Sequence, residues 1–207
     1  PLGNRTTSAH QPGVWSYNGD NQLIQYPRAE PFSGQAAQDT RISYTAQGHT
    51  AQEKASQGSW QREYRYNAAE RLVEVSQSGQ TVTYRYDPLG RRISKTVGQM
   101  PGASTIYYLY ADSGLMAEAD SQGTMTKAYG WNPVAAQQGL WSTDPIWQAE
   151  VRQNDLTASA TQYHYLQTDH LGTPMMATMK NGSVSWKGAS EAFGATNAIV
   201  NAIEMNL

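Results

Sequence analysis

A tyrosine-rich pattern recurs along this chain and constrains its fold more than any other feature. Residues 84–92 read Tyr-Arg-Tyr-Asp-Pro-Leu-Gly-Arg-Arg, and residues 64–72, 20 positions earlier, read Tyr-Arg-Tyr-Asn-Ala-Ala-Glu-Arg-Leu. A third copy lies at residues 108–115, and weaker copies begin at Tyr17, Tyr44 and Tyr163. Because a unit this short cannot bury its own surface, each unit must pack on its neighbours. We therefore predict an array of repeats.

Each unit has the pattern of a strand, a tight turn and a second strand. Strand side chains alternate between faces, so Tyr84 and Tyr86 share one face and Arg85 lies on the other. Asp87 and Gly90 suit the following turn, since Asp accepts backbone N–H groups and Gly permits positive φ. Residues 71–84, 115–129 and 175–186 each resemble two strands joined by a glycine turn. We predict an all-β fold, an antiparallel sheet of β-hairpin repeats.

The chain divides into three parts on this basis. Residues 1–130 form the repeat sheet, with a loop at residues 27–40, and residues 131–161 read as a loop or insertion because Pro and Ala interrupt the period. Residues 162–207 begin a further segment, in which the apolar spacing of residues 197–205 fits a helix. Residues 1–5 match residues 88–92, so we expect the chain to begin within a unit and to be a piece of a longer protein.

The composition agrees with a polar-faced sheet. Charged residues make up 15% of the chain, and its large rings are 13 Tyr and 6 Trp against 2 Phe, which suits half-buried sheet faces. A net charge of −2, with Lys and Arg scattered singly, argues against nucleic acid as a partner. The chain has no cysteine and no apolar run long enough to span a membrane. We predict no cofactor and no metal.

Two strings together resemble a known family. The unit at residues 84–92 and the string at residues 163–174, Tyr-His-Tyr-Leu-Gln-Thr-Asp-His-Leu-Gly-Thr-Pro, are similar to the bacterial Rhs, or YD-repeat, proteins. The second string resembles the start of their associated core region, and residues 191–194, Glu-Ala-Phe-Gly, follow it in order. The resemblance covers nearly the whole chain apart from the two loops.

The resemblance implies a function in containment. In that family the repeats form a spiralling β-sheet that becomes a hollow shell around a C-terminal toxin, as in type VI secretion effectors and the cocoon of Tc toxins. The implied partners are the rest of the shell, the enclosed toxin, and a secretion-system spike or adaptor. The implied protein is made in the bacterial cytoplasm and is secreted or delivered into a target cell. Some members carry an aspartyl self-cleavage element, which we expect, like the toxin, beyond residue 207.

The residues expected to matter are structural. The repeat and turn positions are Tyr64, Tyr66, Arg71, Tyr84, Tyr86, Asp87, Gly90, Arg91, Tyr108, Tyr110, Gly114, Tyr163, Tyr165, Asp169, His170, Gly172 and Pro174. Two tryptophans in the predicted loop, Trp141 and Trp147, are the best candidates for a contact patch. Periodic tyrosines usually pack across strands, but they also suit a carbohydrate-binding or adhesive surface, which remains the alternative function.

Candidate catalytic groups are sparse. His164, Asp169 and His170 form the densest cluster of acid, base or ligand residues, and a turn in which Asp169 accepts backbone N–H groups explains them better than a metal does. A triad using Ser159 or Ser190 lacks the expected Gly-x-Ser-x-Gly elbow. Asp87 and Asp144, each before a proline, are the carboxylates that self-cleavage would require. We predict that residues 1–207 form a shell segment with no catalysis of their own.

Overall fold

The computed structural model describes residues 3–8, 12–28, 38–57, 60–99, 101–136, 144–190 and 196–203. These residues form sixteen strands and one short helix, α1 (Pro133–Ala136). The strands are β1 (Ser16–Tyr17), β2 (Leu23–Arg28), β3 (Gln38–Tyr44), β4 (Thr50–Ala55), β5 (Gln61–Tyr66), β6 (Leu72–Gln77), β7 (Gln80–Tyr86), β8 (Arg92–Val97), β9 (Ser104–Ala111), β10 (Gly114–Ala119), β11 (Met125–Trp131), β12 (Pro145–Glu150), β13 (Gln162–Thr168), β14 (Pro174–Met179), β15 (Val184–Ser190) and β16 (Thr196–Asn201). No helix among the described residues is long and apolar enough to cross a membrane.

The chain forms two compact units, and the boundary between them passes through β8. Unit 1 comprises Pro1–Arg91 and Lys95–Ala103, and unit 2 comprises Arg92–Ser94 and Ser104–Leu207. In unit 1, strands β1 to β7 pair antiparallel in chain order. In unit 2, strands β9 to β16 do the same. The predicted all-β, antiparallel hairpin sheet is confirmed.

The three predicted glycine hairpins are present as β6–β7, β10–β11 and β14–β15. The β6–β7 turn is the tightest, since Gln77 and Gln80 pair directly and only Ser78 and Gly79 separate them. Both turn residues have positive φ, 51° and 78°, which matches the right-handed twist of the strands they join.

The structure corrects three expectations about irregular segments. The predicted loop at residues 27–40 contains the end of β2 and the start of β3, while residues 29–37 lie outside the described part. Pro27 fits the end of β2 because β1 pairs no further along that strand than Gln25, so the missing N–H is not required on that side.

The segment at residues 131–161, predicted as a loop or insertion, contains strand β12, which pairs with both β11 and β13. Pro145 is the first residue of β12, a position that tolerates proline, and Ala149 is fully buried in the core. The predicted helix at residues 197–205 is also wrong, because Thr196–Asn201 form β16. Ile199 and Val200 are β-branched residues, which favour strands, and Val200 pairs with Lys187.

The two faces of the unit 1 sheet differ in chemistry. Residues opposite each other in register share a face. We call the face that carries Tyr26, Tyr64, Val75, Val82 and Tyr84 the tyrosine face. The other face is charged, and in register across it lie Arg41 with Lys54 and Arg65 with Glu74. The tyrosines are half-buried and the arginines between them, Arg65 and Arg85, are exposed, as the alternation predicts.

Unit 2 contains a cluster of buried hydrophobic residues. Ala128, Ala149 and Val151 are buried, and Met125, Trp147 and Tyr163 pack against them. Small residues allow the large rings to lie close to the backbone. Gly130 is the extreme case, because it lies directly opposite Trp147 and a Cβ there would stand 2.0 Å from the indole Nε1. The core therefore depends on glycine at this position.

Candidate functional site

A five-residue turn recurs at the repeat positions of unit 1. We number its residues from the one that follows the tyrosine, so the first positions are Asn18, Thr45, Asn67 and Asp87. In each turn the first N–H donates to the fifth carbonyl and the fourth N–H donates to the first carbonyl, at 2.8–3.1 Å. The first side chain accepts the fifth N–H, at 2.8 Å to Asn18 Oδ1 and 3.2 Å to Thr45 Oγ1. Asp, Asn and Thr are interchangeable here because each supplies a side-chain oxygen.

The fourth turn position always has positive φ. Gly48 and Gly90 have φ of 87° and 88°, while Asn21 and Glu70 adopt 65° and 60°. Glycine occupies this region without strain, whereas a residue with a Cβ costs energy there. The unit with Glu70 in place of glycine therefore keeps the turn geometry at the expense of local strain.

Turns of this kind lower the pKa of two carboxylates, Asp87 and Asp169. Partial desolvation by itself raises the pKa of Asp87, but hydrogen bonds to the N–H and side chain of Arg91, at 2.9 and 2.5 Å, outweigh it and lower the pKa. In unit 2 the backbone N–H groups of Thr173 and Leu171 lower the pKa of Asp169. Stability from such lowered pKa values is present at neutral pH and is lost as the pH falls through the folded-state pKa.

The tyrosine before the turn is bonded to the previous unit at three of the four turns, the exception being Tyr66, whose ring stacks on His49. Tyr44 Oη donates to the Leu23 carbonyl at 2.6 Å, and Tyr86 Oη donates to the Leu72 carbonyl at 2.7 Å. In each case the acceptor is the residue that follows the fifth position of the preceding turn. The same bond joins Tyr17 to Arg5 and Tyr110 to Arg92, at 2.8 and 2.9 Å. The tyrosine hydroxyl is thus a lateral tie between units.

Successive turns also touch through a fixed pair of positions. The fifth residue of one turn lies against the fourth residue of the next. A Cβ on Gly48 would lie 3.5 Å from Gln22 Nε2, and a Cβ on Gly90 would lie 2.5 Å from Arg71 Nη2. At the intermediate step His49 Nε2 lies 3.6 Å from Glu70 Oε2. At this step Glu70 takes the place of the glycine, and His49 takes the place of the long polar side chain.

A charge cluster lies on the tyrosine face around Glu53. Its carboxylate accepts hydrogen bonds from Arg28 at 3.1 Å, from Tyr64 Oη at 2.9 Å and from Tyr26 Oη at 3.3 Å. Arg62, opposite Glu53 in register, approaches it at 4.0 Å. Burial, followed by the negative charge of Glu53, raises the pKa of Tyr26 to about 12. The cluster supplies partners for a half-buried acid and leaves the tyrosines protonated at neutral pH.

The predicted residues of unit 2 fall into turns and packing positions. Tyr108 is buried under the guanidinium of Arg92, 4.8 Å from the ring centroid. Gly114, with φ of 126°, faces the Trp131 ring.

Further along the chain, Tyr163 Oη donates to the Leu156 carbonyl at 2.9 Å and Tyr165 is 42% exposed. Gly172 is the fourth residue of the Asp169 turn, with φ of 82°, His170 is exposed in that turn, and Pro174 begins β14.

His164 is separated from the other residues of its predicted cluster. Its side chain is 1% exposed in the middle of β13, and its Nδ1 lies 2.9 Å from Ser185 Oγ. It belongs to a row of polar residues that crosses unit 2 and that the sequence analysis did not find. The members of this row, which we call the buried polar row, are Glu118, Tyr129, Gln148, His164 and Ser185.

The candidate catalytic groups have structural partners. Asp144 Oδ2 accepts a hydrogen bond from Asn132 Nδ2 at 2.7 Å, and Asp87 is paired with Arg91. Ser159 is exposed in the β12–β13 connection, and Ser190 ends β15. Within the described ranges there is no group of three or more His, Asp or Glu residues placed to hold a metal.

The structure describes one of the two tryptophans that were predicted to form a contact patch. Trp141 lies outside the described residues. Trp147 is half-buried, with its ring against Gly130 and at 5.3 Å, edge to face, from the Tyr163 ring. A ring held in this way packs the sheet, so the side that faces Gly130 is closed to a ligand.

The structural features together define a class: an antiparallel repeat sheet whose Tyr-Asp turns tie each unit to its neighbour. The family described as RHS Repeat matches residues 66–99, which contain two of these turns, and the family described as RHS protein matches residues 164–198, which begin at His164. Over these two stretches the chain is similar to the Rhs, or YD-repeat, family.

Two curated relatives are toxins. The chain is 29% identical over 173 residues to double-stranded DNA deaminase toxin A of Burkholderia cenocepacia, and 26% identical over 150 residues to toxin protein Tse5 of Pseudomonas aeruginosa. These alignments cover 78% and 63% of this chain but 12% and 11% of the relatives, so the chain spans about an eighth or less of their length.

Solved structures with similarity to the chain include TcdB2-TccC3-TEV and TcdB2-TccC3. The first covers 92% of this chain and 16% of its own, with a TM-score of 0.39 and 11% identity. The second covers 88% and 15%, with a TM-score of 0.41 and 13% identity.

Proposed function

We propose that this chain is a wall segment of a shell that encloses a C-terminal toxic polypeptide in a bacterial Rhs toxin. The observation that carries the proposal is the pair of lateral ties between repeats, the tyrosine hydroxyl bond and the contact between successive turns. These ties join each unit only to its neighbour, so sheet of any length can be built from the same parts. The similarity to the Rhs family over residues 66–99 and 164–198 and the two toxin relatives support the same proposal.

The two faces of unit 1 suit a wall. The charged face, with Arg41, Lys54 and Arg65 exposed, is compatible with solvent. The tyrosine face is half-buried, and its charge is concentrated in the paired Glu53 cluster. A low-charge aromatic face lets an enclosed chain slide over it with few fixed ion pairs, whereas the charged face keeps the outside soluble.

The remaining parts of the proposal concern the whole protein. We propose that this segment has no catalytic activity, that the activity belongs to the enclosed toxin, and that the protein is made in the bacterial cytoplasm and delivered to a target cell. The partners in this proposal are the rest of the shell, the toxin, and a secretion-system spike or adaptor.

Protease protection of the enclosed polypeptide tests the proposal. The whole protein is treated with a protease under native conditions, and cleavage within the segment that follows the wall is timed by mass spectrometry. We expect slow cleavage in the wild type and faster cleavage in Gly130→Ala, which disrupts the packing of Trp147. Gly19→Ala is the matched control, because no atom lies within 4 Å of a Cβ there. Cleavage as fast in the wild type as in the isolated toxin segment would refute enclosure.

A further inference from the structure

We infer that His164 is an acid-sensitive latch in unit 2: it holds strands β13 to β15 together while neutral, and its protonation loosens them. The inference concerns the sheet itself and does not depend on what the shell encloses. It rests on the position of the imidazole in the buried polar row. There the imidazole has one hydrogen-bond partner among the described residues and almost no contact with solvent.

The hydrogen bonds around His164 favour one neutral tautomer. Ser185 Oγ lies 3.3 Å from the Ala177 carbonyl, to which only the hydroxyl proton can donate. Ser185 Oγ then accepts the Nδ1–H of His164, across 2.9 Å. The proton therefore sits on Nδ1, and Nε2 carries the lone pair. This chain of bonds links β13 to β15 and, through the Ala177 carbonyl, to β14.

A second proton on His164 has no acceptor in hydrogen-bond geometry among the described residues, although Gln148, directly opposite in register, carries a buried amide oxygen. Nε2 is buried and has no hydrogen-bond partner among the described residues. An imidazolium needs acceptors at both nitrogens, so protonation places both a charge and an unsatisfied donor in the core. Such a group is expensive to keep folded, and opening the surrounding strands relieves it.

The groups that face His164 leave it with one charged neighbour. On β12 the opposite residue is Gln148, and the charge of Glu150 on the same strand acts on His164. Glu150 faces Lys127 of β11 in register, and Glu118 lies further along the row, bonded to Tyr129. On β14 the opposite residue is the apolar Met179, and β15 supplies Ser185 and the buried Trp186.

The direction of the pH effect follows from burial. Desolvation lowers the pKa of His164 and outweighs the opposing charge of Glu150. A His whose folded-state pKa is lowered stabilises the fold at pH values above the ordinary value of about 6.5. As the pH falls below that value the unfolded strands bind a proton that the folded strands exclude. The equilibrium for opening then rises as the pH falls, with a slope that approaches tenfold per pH unit well below 6.5, until the folded-state pKa is reached.

Hydrogen exchange on the whole protein tests the latch. Exchange of backbone amides in β13 to β15 is measured at pH 6.5 and 5.5, and the opening equilibrium is calculated after correction for intrinsic rates. We expect it to rise, by up to about fivefold because the unfolded-state pKa of about 6.5 lies at the upper end of this interval, in the wild type and in His170→Gln, and to stay constant in His164→Gln. His170 is the matched control because it lies six residues away in an exposed turn. An unchanged wild type, or an equal rise in His164→Gln, would overturn the inference.

A direct titration covers the case in which His164→Gln fails to fold. Exchange of the imidazole C2 hydrogen, followed by mass spectrometry across a pH series, reports the titration midpoint of each histidine in the wild-type protein. We expect the midpoint of His164 to lie below the ordinary histidine value of about 6.5, with slow exchange. A midpoint at or above that value would contradict the latch.

Discussion

Replacement of Gly130 by alanine is the sharpest perturbation that this structure allows. The added Cβ would lie 2.0 Å from Trp147 Nε1, 2.1 Å from Cε2 and 2.7 Å from Cδ1. Carbon contacts are comfortable only at about 3.5–4 Å, so the indole must retreat by roughly 1.5 Å. The ring is rigid and packs against Ala128, Ala149 and Val151, so it cannot swing aside without opening the core.

The size of the effect is bounded by two outcomes. If the sheet absorbs the extra methyl group, overpacking costs about 1–3 kcal/mol. If the indole is expelled, the loss approaches the ~3–5 kcal/mol typical of removing a buried large ring. We therefore expect Gly130→Ala to lower the local free energy of opening by about 2–4 kcal/mol, measured by hydrogen exchange of amides in β11 and β12.

A double-mutant cycle assigns the effect to the ring. In a Trp147→Ala background the clash is absent, and Gly130→Ala should then be neutral or stabilising by up to ~1 kcal/mol, because alanine is favoured over glycine in a strand. Gly19→Ala, with open space around it, should change little. The reasoning fails if Gly130→Ala is equally destabilising with and without the indole.

Three further predictions concern unit 1. Glu70→Gly should stabilise the turn by about 1 kcal/mol, seen as slower amide exchange in β5 and β6, because φ of 60° strains any residue with a Cβ; faster exchange would mean that the pairing with His49 outweighs the strain. Tyr86→Phe should destabilise β6 and β7 by ~1 kcal/mol in urea-dependent hydrogen exchange, since the bond to the Leu72 carbonyl is lost, and no change would show that the tie is not stabilising. Absorbance near 295 nm should show Tyr26 ionising at about pH 12, so its contribution to stability falls between the unfolded-state value of about 10 and 12; a Tyr26 midpoint near 10 would contradict the Glu53 cluster.

Local sequence chemistry predicts the strands and turns of this chain well. Tyr64 and Tyr66 alternate with exposed Arg65, and Ser78-Gly79 forms the expected two-residue hairpin, because pattern and turn preference are properties of adjacent residues. Strand β12 was missed because Pro145 and Ala149 count against a strand on average, while the packing that favours Ala149 comes from other strands. Composition cannot report that contact.

The parts of the candidate site that sequence reasoning missed are long-range. Glu53 contacts Arg28 and Tyr26, which lie in strand β2, 25 and 27 residues earlier in the chain. Likewise the buried polar row is assembled from five strands, and His164 in sequence looks like a neighbour of Asp169 rather than of Ser185. Strand register brings these groups together, and register is fixed only once every turn in between is known. The one signal in the sequence was the alternation of polar and apolar residues in β10, β12 and β13.

The contact between successive turns makes the order of the repeats matter. A unit with glycine at its fourth position accepts Gln22 or Arg71 from the unit before it, whereas the unit with Glu70 follows one that ends in His49. If recombination exchanged units, the contact between the fifth residue of one turn and the fourth residue of the next would be favourable or unfavourable, depending on which unit came first. Glu70 placed after Arg71 would gain a permanent cation, and Glu70 placed after Gln22 would gain none. The repeats are alike in fold but are not interchangeable in sequence, so each carries information about its neighbour.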